Sequence, residues 1–180
     1  MKNLKLLQHG FIDNEIWTLT FGAAFQRASV YFNSPSGEQK RKLKSHLRSF
    51  VENELLPIYN REDIQDQKHI ANIYSLSDAS TEFSQILTNG KINFGVSQKI
   101  LNLYLKYKWC LDEISEPPHF PVDRRIQENM RFRPIVAWTR FQDEIDYMRV
   151  INHVRNLRDE NQSIALLELI HFERRINTEA

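Results

Sequence analysis

One cysteine, Cys110, occurs in 180 residues, beside five glycines and six prolines. A lone cysteine excludes a disulfide framework, a four-cysteine zinc site and a cysteine-ligated iron–sulfur cluster within one chain, and it points to a reducing cytoplasm. So few helix breakers suit long helices with short connections. An excess of charge is missing as well: 24 Lys and Arg stand against 23 Asp and Glu, a formal charge of +1. The chain as a whole is therefore no field-driven polyanion binder, and any nucleic-acid contact has to come from local clusters. No apolar run approaches the ~18 residues of a membrane span, and the N-terminal MKNLKLLQHGFIDNEIW is too interrupted for a signal peptide, so a soluble protein without a membrane partner is expected. Also missing are a glycine-rich phosphate loop, a His-Glu-x-x-His pair and a Gly-x-Ser-x-Gly elbow. The six histidines stand singly, without ligand-like spacing. Neither a metal nor a nucleotide cofactor is expected.

What is present is an ordinary globular composition, 41% apolar and 26% charged, over a length that suits one domain, residues 1–180. The apolar residues recur at three- and four-residue intervals, and no alternating strand pattern of useful length occurs. The reading is a single compact all-α domain of about seven or eight helices. Asp13 or Asn14 is placed to cap a first helix whose inward face is Trp17, Phe21, Ala24, Phe25, Ala28, Tyr31 and Phe32. A second helix runs from about Glu38 to Leu56 and stops at Pro57; a third spans Glu62 to Tyr74. A fourth, capped near Ser77 or Asp78, ends at the left-handed stop Asn89-Gly90. The helix over 96–112 is apolar on most sides and therefore central. A long helix from Trp138 to Leu157 and a last one from Ser163 complete the set.

Residues 95–126, GVSQKILNLYLKYKWCLDEISEPPHFPVDRRI, carry the chemistry. A helix over 99–112 takes the chain about 20 Å away from Lys99. The return over 113–122, stiffened by Pro117, Pro118 and Pro121, spans up to about 33–36 Å when extended, enough to bring Asp123 back beside Lys99 across 123 − 99 = 24 positions. GVSQK, an apolar helix and then FPVDRRI resemble the helix-hairpin-helix DNA glycosylase superfamily, particularly its archaeal 8-oxoguanine branch. The resemblance implies that Lys99 is the nucleophile that attacks the sugar and Asp123 the essential carboxylate. It implies that Gly95, Val96 and Ser97 offer backbone amides to a DNA phosphate. The likeness covers 32 residues and departs from the family in having Asn93-Phe94 before the hairpin, Ser97 at the second glycine and no cluster-binding cysteines. Tyr104, Trp109, His119 and Phe120 are the expected lining of a pocket for an extruded base, which such enzymes take out of the duplex.

Other readings of the same residues stay open. Asp123 is equally placed to cap the helix that starts beside it, with Arg124 and Arg125 solvated or on DNA. Lys40, Arg41 and Lys42, in the basic run KRKLKSHLR, form either a phosphate-contacting cluster or a solvated helix face. Arg41 and His46 also have the Arg-x4-His spacing that resembles the HEPN family of all-α ribonucleases. Three functions are therefore expected in descending order: a DNA N-glycosylase, with or without lyase activity, acting on a flipped damaged or modified base; a non-catalytic helical protein that binds nucleic acid or protein; and a ribonuclease.

Overall fold

The structure, a computed structural model, describes residues 3–60 and 64–172. Its elements are α1 (Leu4–Phe25), α2 (Gly37–Phe50), α3 (Leu56–Tyr59), α4 (Asp66–Ala79), α5 (Phe94–Cys110), α6 (Arg124–Asn129), α7 (Ile145–Leu157) and α8 (Ile164–His171), with short 3-10 turns between some of them. No strand is formed among the described residues; an isolated antiparallel bridge joins Tyr31 to Leu87. The protein is an all-α domain, and no described helix is long and apolar enough to cross a membrane.

The core is built around α5, which packs against α1 and α4. Its Ile100, Leu101 and Leu105 are fully buried and, with Val96 and Tyr104, nearly all its faces turn inward. An axial helix of this kind needs apolar residues all round, and that is what the sequence shows. Trp17 of α1 stacks on Tyr104 with ring centroids 4.3 Å apart, and its Nε1–H donates to Glu52 at 2.8 Å.

Several helix limits differ from expectation for identifiable reasons. The first helix starts ahead of Asp13, because Asn3 caps it by accepting from the Lys5 N–H at 3.1 Å; Asp13 instead receives Lys108. Its opening turns, with Leu4, Leu6, Leu7 and Phe11, are exposed, and it ends at Phe25, so Phe32 lies outside it and 53% exposed. The second does not stop at Pro57. A π-helical turn, Val51–Leu55, widens the backbone ladder so that Pro57 enters the first turn of α3, where its missing N–H costs little. The start expected for the third helix, Glu62, lies outside the described residues. No break falls at Ser77 or Asp78: α4 runs through to Ala79, with the Ser77 hydroxyl donating to the Ile92 carbonyl at 2.5 Å. Asn89 and Gly90 both have positive φ, 62° and 76°, the turn that leads into α5.

The region expected to begin a long helix at Trp138 is a 3-10 turn, Trp138–Arg140, separated from α7. Its carbonyl groups are taken by the start of α5: the Asn93 side chain donates to the Thr139 carbonyl at 2.8 Å, and the Gly95 N–H donates to the Phe141 carbonyl at 3.0 Å. With carbonyls engaged sideways the turn is not continued as a helix, and regular helix resumes only at Ile145. This detour places Trp138 beside Lys99.

Candidate active site

Lys99 sits in the second turn of α5, not the first, because the helix starts at Phe94. Asp123 precedes α6. The Lys99 Nζ donates to Asp123 Oδ2 at 2.7 Å, and the two side chains are 5% and 20% exposed. The other carboxylate oxygen, Oδ1, accepts from the Ile126 N–H at 2.9 Å and so caps α6. The two readings of Asp123 are compatible, one oxygen for each. Burial pushes its carboxyl up, but the Lys99 ammonium and the Ile126 amide outweigh burial and hold it below the usual carboxylate range. Asp123 is therefore ionised at neutral pH.

The pair stands at the floor of an open cleft of about 420 Å³, walled by Arg27 just beyond the end of α1, Arg124 and Arg125 of α6, Trp138 and Phe172. Lys99 Nζ lies 5.9 Å from the Trp138 ring centroid, within cation–π range. Behind the cleft, Lys106 and Glu168 form a buried pair at 2.6 Å with the Phe172 ring 4.2 Å from the ammonium. Burial pushes the Glu168 carboxyl up, and its Oε1 has no hydrogen-bond partner among the described residues.

The approach of Asp123 is set by Gln98, the neighbour of Lys99. The Gln98 amide donates to the Val122 carbonyl at 2.8 Å and accepts from the Val122 N–H at 3.1 Å, as a strand partner would. Gln98 Oε1 also accepts from Asn102 at 3.2 Å, and Asn102 donates to the Tyr147 hydroxyl at 3.0 Å. Tyr147 bonds His119 Nδ1 at 2.8 Å, and His119 Nε2 meets Asp66, which a bidentate Arg155 also grips. On the other side Asn102 Oδ1 meets His69 Nε2 at 2.8 Å, and Tyr59 closes on His69 Nδ1 at 2.7 Å. Donors and acceptors alternate along this chain with both histidines neutral and their protons on Nε2, where each tyrosine hydroxyl donates to a ring nitrogen. Burial pulls both below the ordinary histidine range, which agrees.

The remaining expected residues lie elsewhere. Gly95, Val96 and Ser97 are buried, and their amides donate to the Phe141 carbonyl, the Asn93 side chain and the Asn93 carbonyl. The hairpin role is corrected on this ground, since no amide of the three is left for a phosphate. Gly95 is required for a different reason: a Cβ there would lie 1.8 Å from the Trp138 carbonyl oxygen. The base-pocket set is corrected too. Tyr104 and Phe120 are core side chains, 1% exposed, His119 is fully buried in the polar chain, and Trp109 packs on the core's edge. None of the four lines the cleft; Trp138 and Phe172 do. Arg124 lies at the cleft but is drawn to Glu128 at 2.7 Å. Lys40, Arg41 and Lys42 lie on α2, away from the cleft walls; Lys42 pairs with Glu38, and Lys40 lies 5.1 Å from the Tyr31 ring. His46 bonds the Ala79 carbonyl at 2.9 Å and so ties α2 to the end of α4.

Among the described residues no group of three or more His, Cys, Asp or Glu side chains is arranged to hold a metal ion. Fold and site together define an all-α protein with a lysine–aspartate pair at the floor of an arginine-walled cleft. No protein-family model, no curated protein and no solved structure matches the chain.

Proposed function

We propose that the protein is a DNA N-glycosylase with lyase activity, in which Lys99 attacks the sugar and Asp123 is the essential carboxylate. The observation that carries this reading is the 2.7 Å contact of the Lys99 amine with an ionised Asp123 in an open cleft. In the reaction the Lys99 ammonium loses a proton, for which Asp123 is the acceptor within reach, and its lone pair forms a bond to the sugar C1′. The N-glycosidic bond breaks, and the base leaves with the bonding pair and is protonated. Asp123 passes the proton it took from Lys99 to the departing base and, ionised again, opposes the positive charge left on the sugar and the attached nitrogen. Opening of the sugar ring then gives an iminium linkage to Lys99.

Borohydride reduction tests this directly, since hydride addition turns the iminium into a stable amine. Incubation with an 8-oxoguanine or abasic duplex in borohydride is expected to yield a covalent adduct that is absent in Lys99→Ala. Base release without any adduct, abolished in Asp123→Asn, identifies a glycosylase without lyase chemistry. Neither adduct nor base release from any damaged duplex overturns the enzyme reading.

A further inference from the structure

A second cavity of about 490 Å³ adjoins the first, lined by Arg27, Tyr74, Lys91, Phe94, Thr139 and Arg140 among others. Arg27 lines both cavities, and the consecutive residues Trp138 and Thr139 face one each, so a single residue's width of chain divides them. Each has a volume typical of small-ligand sites. Their charge is lopsided. Arg27, Lys91, Lys99, Arg124, Arg125 and Arg140 stand in the two walls against one carboxylate, Asp123, although the chain as a whole is balanced at 24 cations and 23 acids. Arg27 and Arg140 are exposed, and neither guanidinium has a partner among the described residues. Lys91 pairs with Asp78 at 2.7 Å, but both are well exposed, so it can still donate to a second acceptor. Polar Asn89, Asn93 and Gln142 add further hydrogen-bonding groups to the wall.

Two unpartnered guanidiniums and a lysine in a concave, acid-free wall suit an anion with several oxygens, and phosphate is the anion that guanidinium forks match. We infer that this second cavity seats the phosphodiester next to the nucleotide held against Lys99 and Asp123, so that one nucleic-acid strand crosses Arg27 from cavity to cavity. The inference rests on the proposed reading of the cleft, and it identifies the ligand as a strand with intact flanking phosphates in place of a free nucleoside or nucleotide.

The test is equilibrium binding, which needs no turnover. Affinity for a short labelled duplex with a central tetrahydrofuran abasic analogue is measured between about 50 and 200 mM salt, for the wild type and for Arg140→Gln, Lys91→Gln and Arg158→Gln. Arg158 is exposed and lines neither cavity, so it controls for loss of a charge at a distance. Arg140→Gln and Lys91→Gln are each expected to weaken binding several-fold and to lower the salt slope by about one, while Arg158→Gln changes neither. Unchanged slopes in the first two variants, or an equal fall in all three, overturn the inference. So does competition by deoxyadenosine monophosphate as strong as that by unlabelled duplex. If the slopes fall as expected while neither a borohydride adduct nor base release is seen, the strand path stands and the enzyme reading fails.

Discussion

The Gln98 side chain grips the Val122 backbone at both its N–H and its carbonyl, 3.1 and 2.8 Å away, and each of these two residues directly precedes one member of the Lys99–Asp123 pair. Consecutive positions on α5 thus hold the return strand and the carboxylate it delivers. Replacing Gln98 by Leu keeps the volume and removes both bonds, leaving a buried N–H and a buried carbonyl unpaired. Each orphaned group costs about 1–3 kcal/mol, so urea denaturation is expected to register a loss of about 2–5 kcal/mol. A loss under about 1 kcal/mol means that other groups hold the strand.

Gly95 makes a second, sharper prediction. The Cβ of an alanine there would meet the Trp138 carbonyl oxygen at 1.8 Å, and the obstacle is backbone, which cannot rotate aside. Gly95→Ala therefore forces the Trp138–Arg140 turn away from α5, with a stability loss of about 3 kcal/mol or more. Since Trp138 also walls the cleft, near-ultraviolet circular dichroism of the tryptophans should change with it. A folded variant with wild-type stability and spectrum contradicts the close approach.

The outbound helix and the ring-stiffened return were legible because they depend on local rules: an all-round apolar face makes α5 axial, and three prolines keep 113–122 extended. Chain lengths allowed the Lys99–Asp123 contact, which the structure makes at 2.7 Å. What was illegible depends on contacts between distant segments. Nothing near Trp138 in sequence announces that Asn93 and Gly95 will take the carbonyls of its turn, and so the long helix expected from that point was shortened. The same holds for His119. Set between Pro118 and Phe120, it reads as a pocket or loop residue, but Asp66, 53 positions away, and Tyr147, 28 positions away, satisfy both of its nitrogens and allow it to be buried. Arg27 carries no motif at all; only the placement of the end of α1 puts it between the two cavities.

The polar chain gives stability a predictable pH dependence. His69 and His119 titrate below the ordinary 6.5 in the folded protein because burial opposes their charge, so the unfolded chain binds protons that the folded one refuses. Stability is lost as pH falls below about 6.5. Asp66 adds to this at lower pH: its hydrogen bonds from His119 and Arg155 hold it well below 3.8, so its contribution is complete above that value and fades as pH falls through and beneath it. Glu168, pushed up from 4.5 by burial, acts in the opposite sense, its contribution being lost as pH rises out of the acid range. Denaturation midpoints measured between about pH 7 and 5.5 should therefore fall, and Asp66→Asn should flatten the limb below about pH 4. A flat profile from pH 7 to 5.5 means that the two rings are not held neutral.

Asp123 allows its two roles to be separated, because one oxygen caps α6 and the other meets Lys99. Asparagine caps helices as well as aspartate does, so Asp123→Asn keeps the bond to the Ile126 N–H and forfeits the charge opposite Lys99. Asp123→Ala forfeits both. The alanine variant is expected to be less stable than the asparagine variant by about 1 kcal/mol, the usual worth of an N-cap, while both leave the Lys99 ammonium without its counter-charge. Restoring balance with Lys99→Met in the asparagine background should recover part of the stability lost, since an unpaired buried ammonium is then absent. A double-mutant cycle over Lys99 and Asp123, read by urea denaturation, measures this coupling. A coupling energy near zero means that the two groups do not meet in solution. If the coupling is strong and the asparagine variant folds yet forms no adduct, the carboxylate's charge is needed for the chemistry and its cap is needed for the fold.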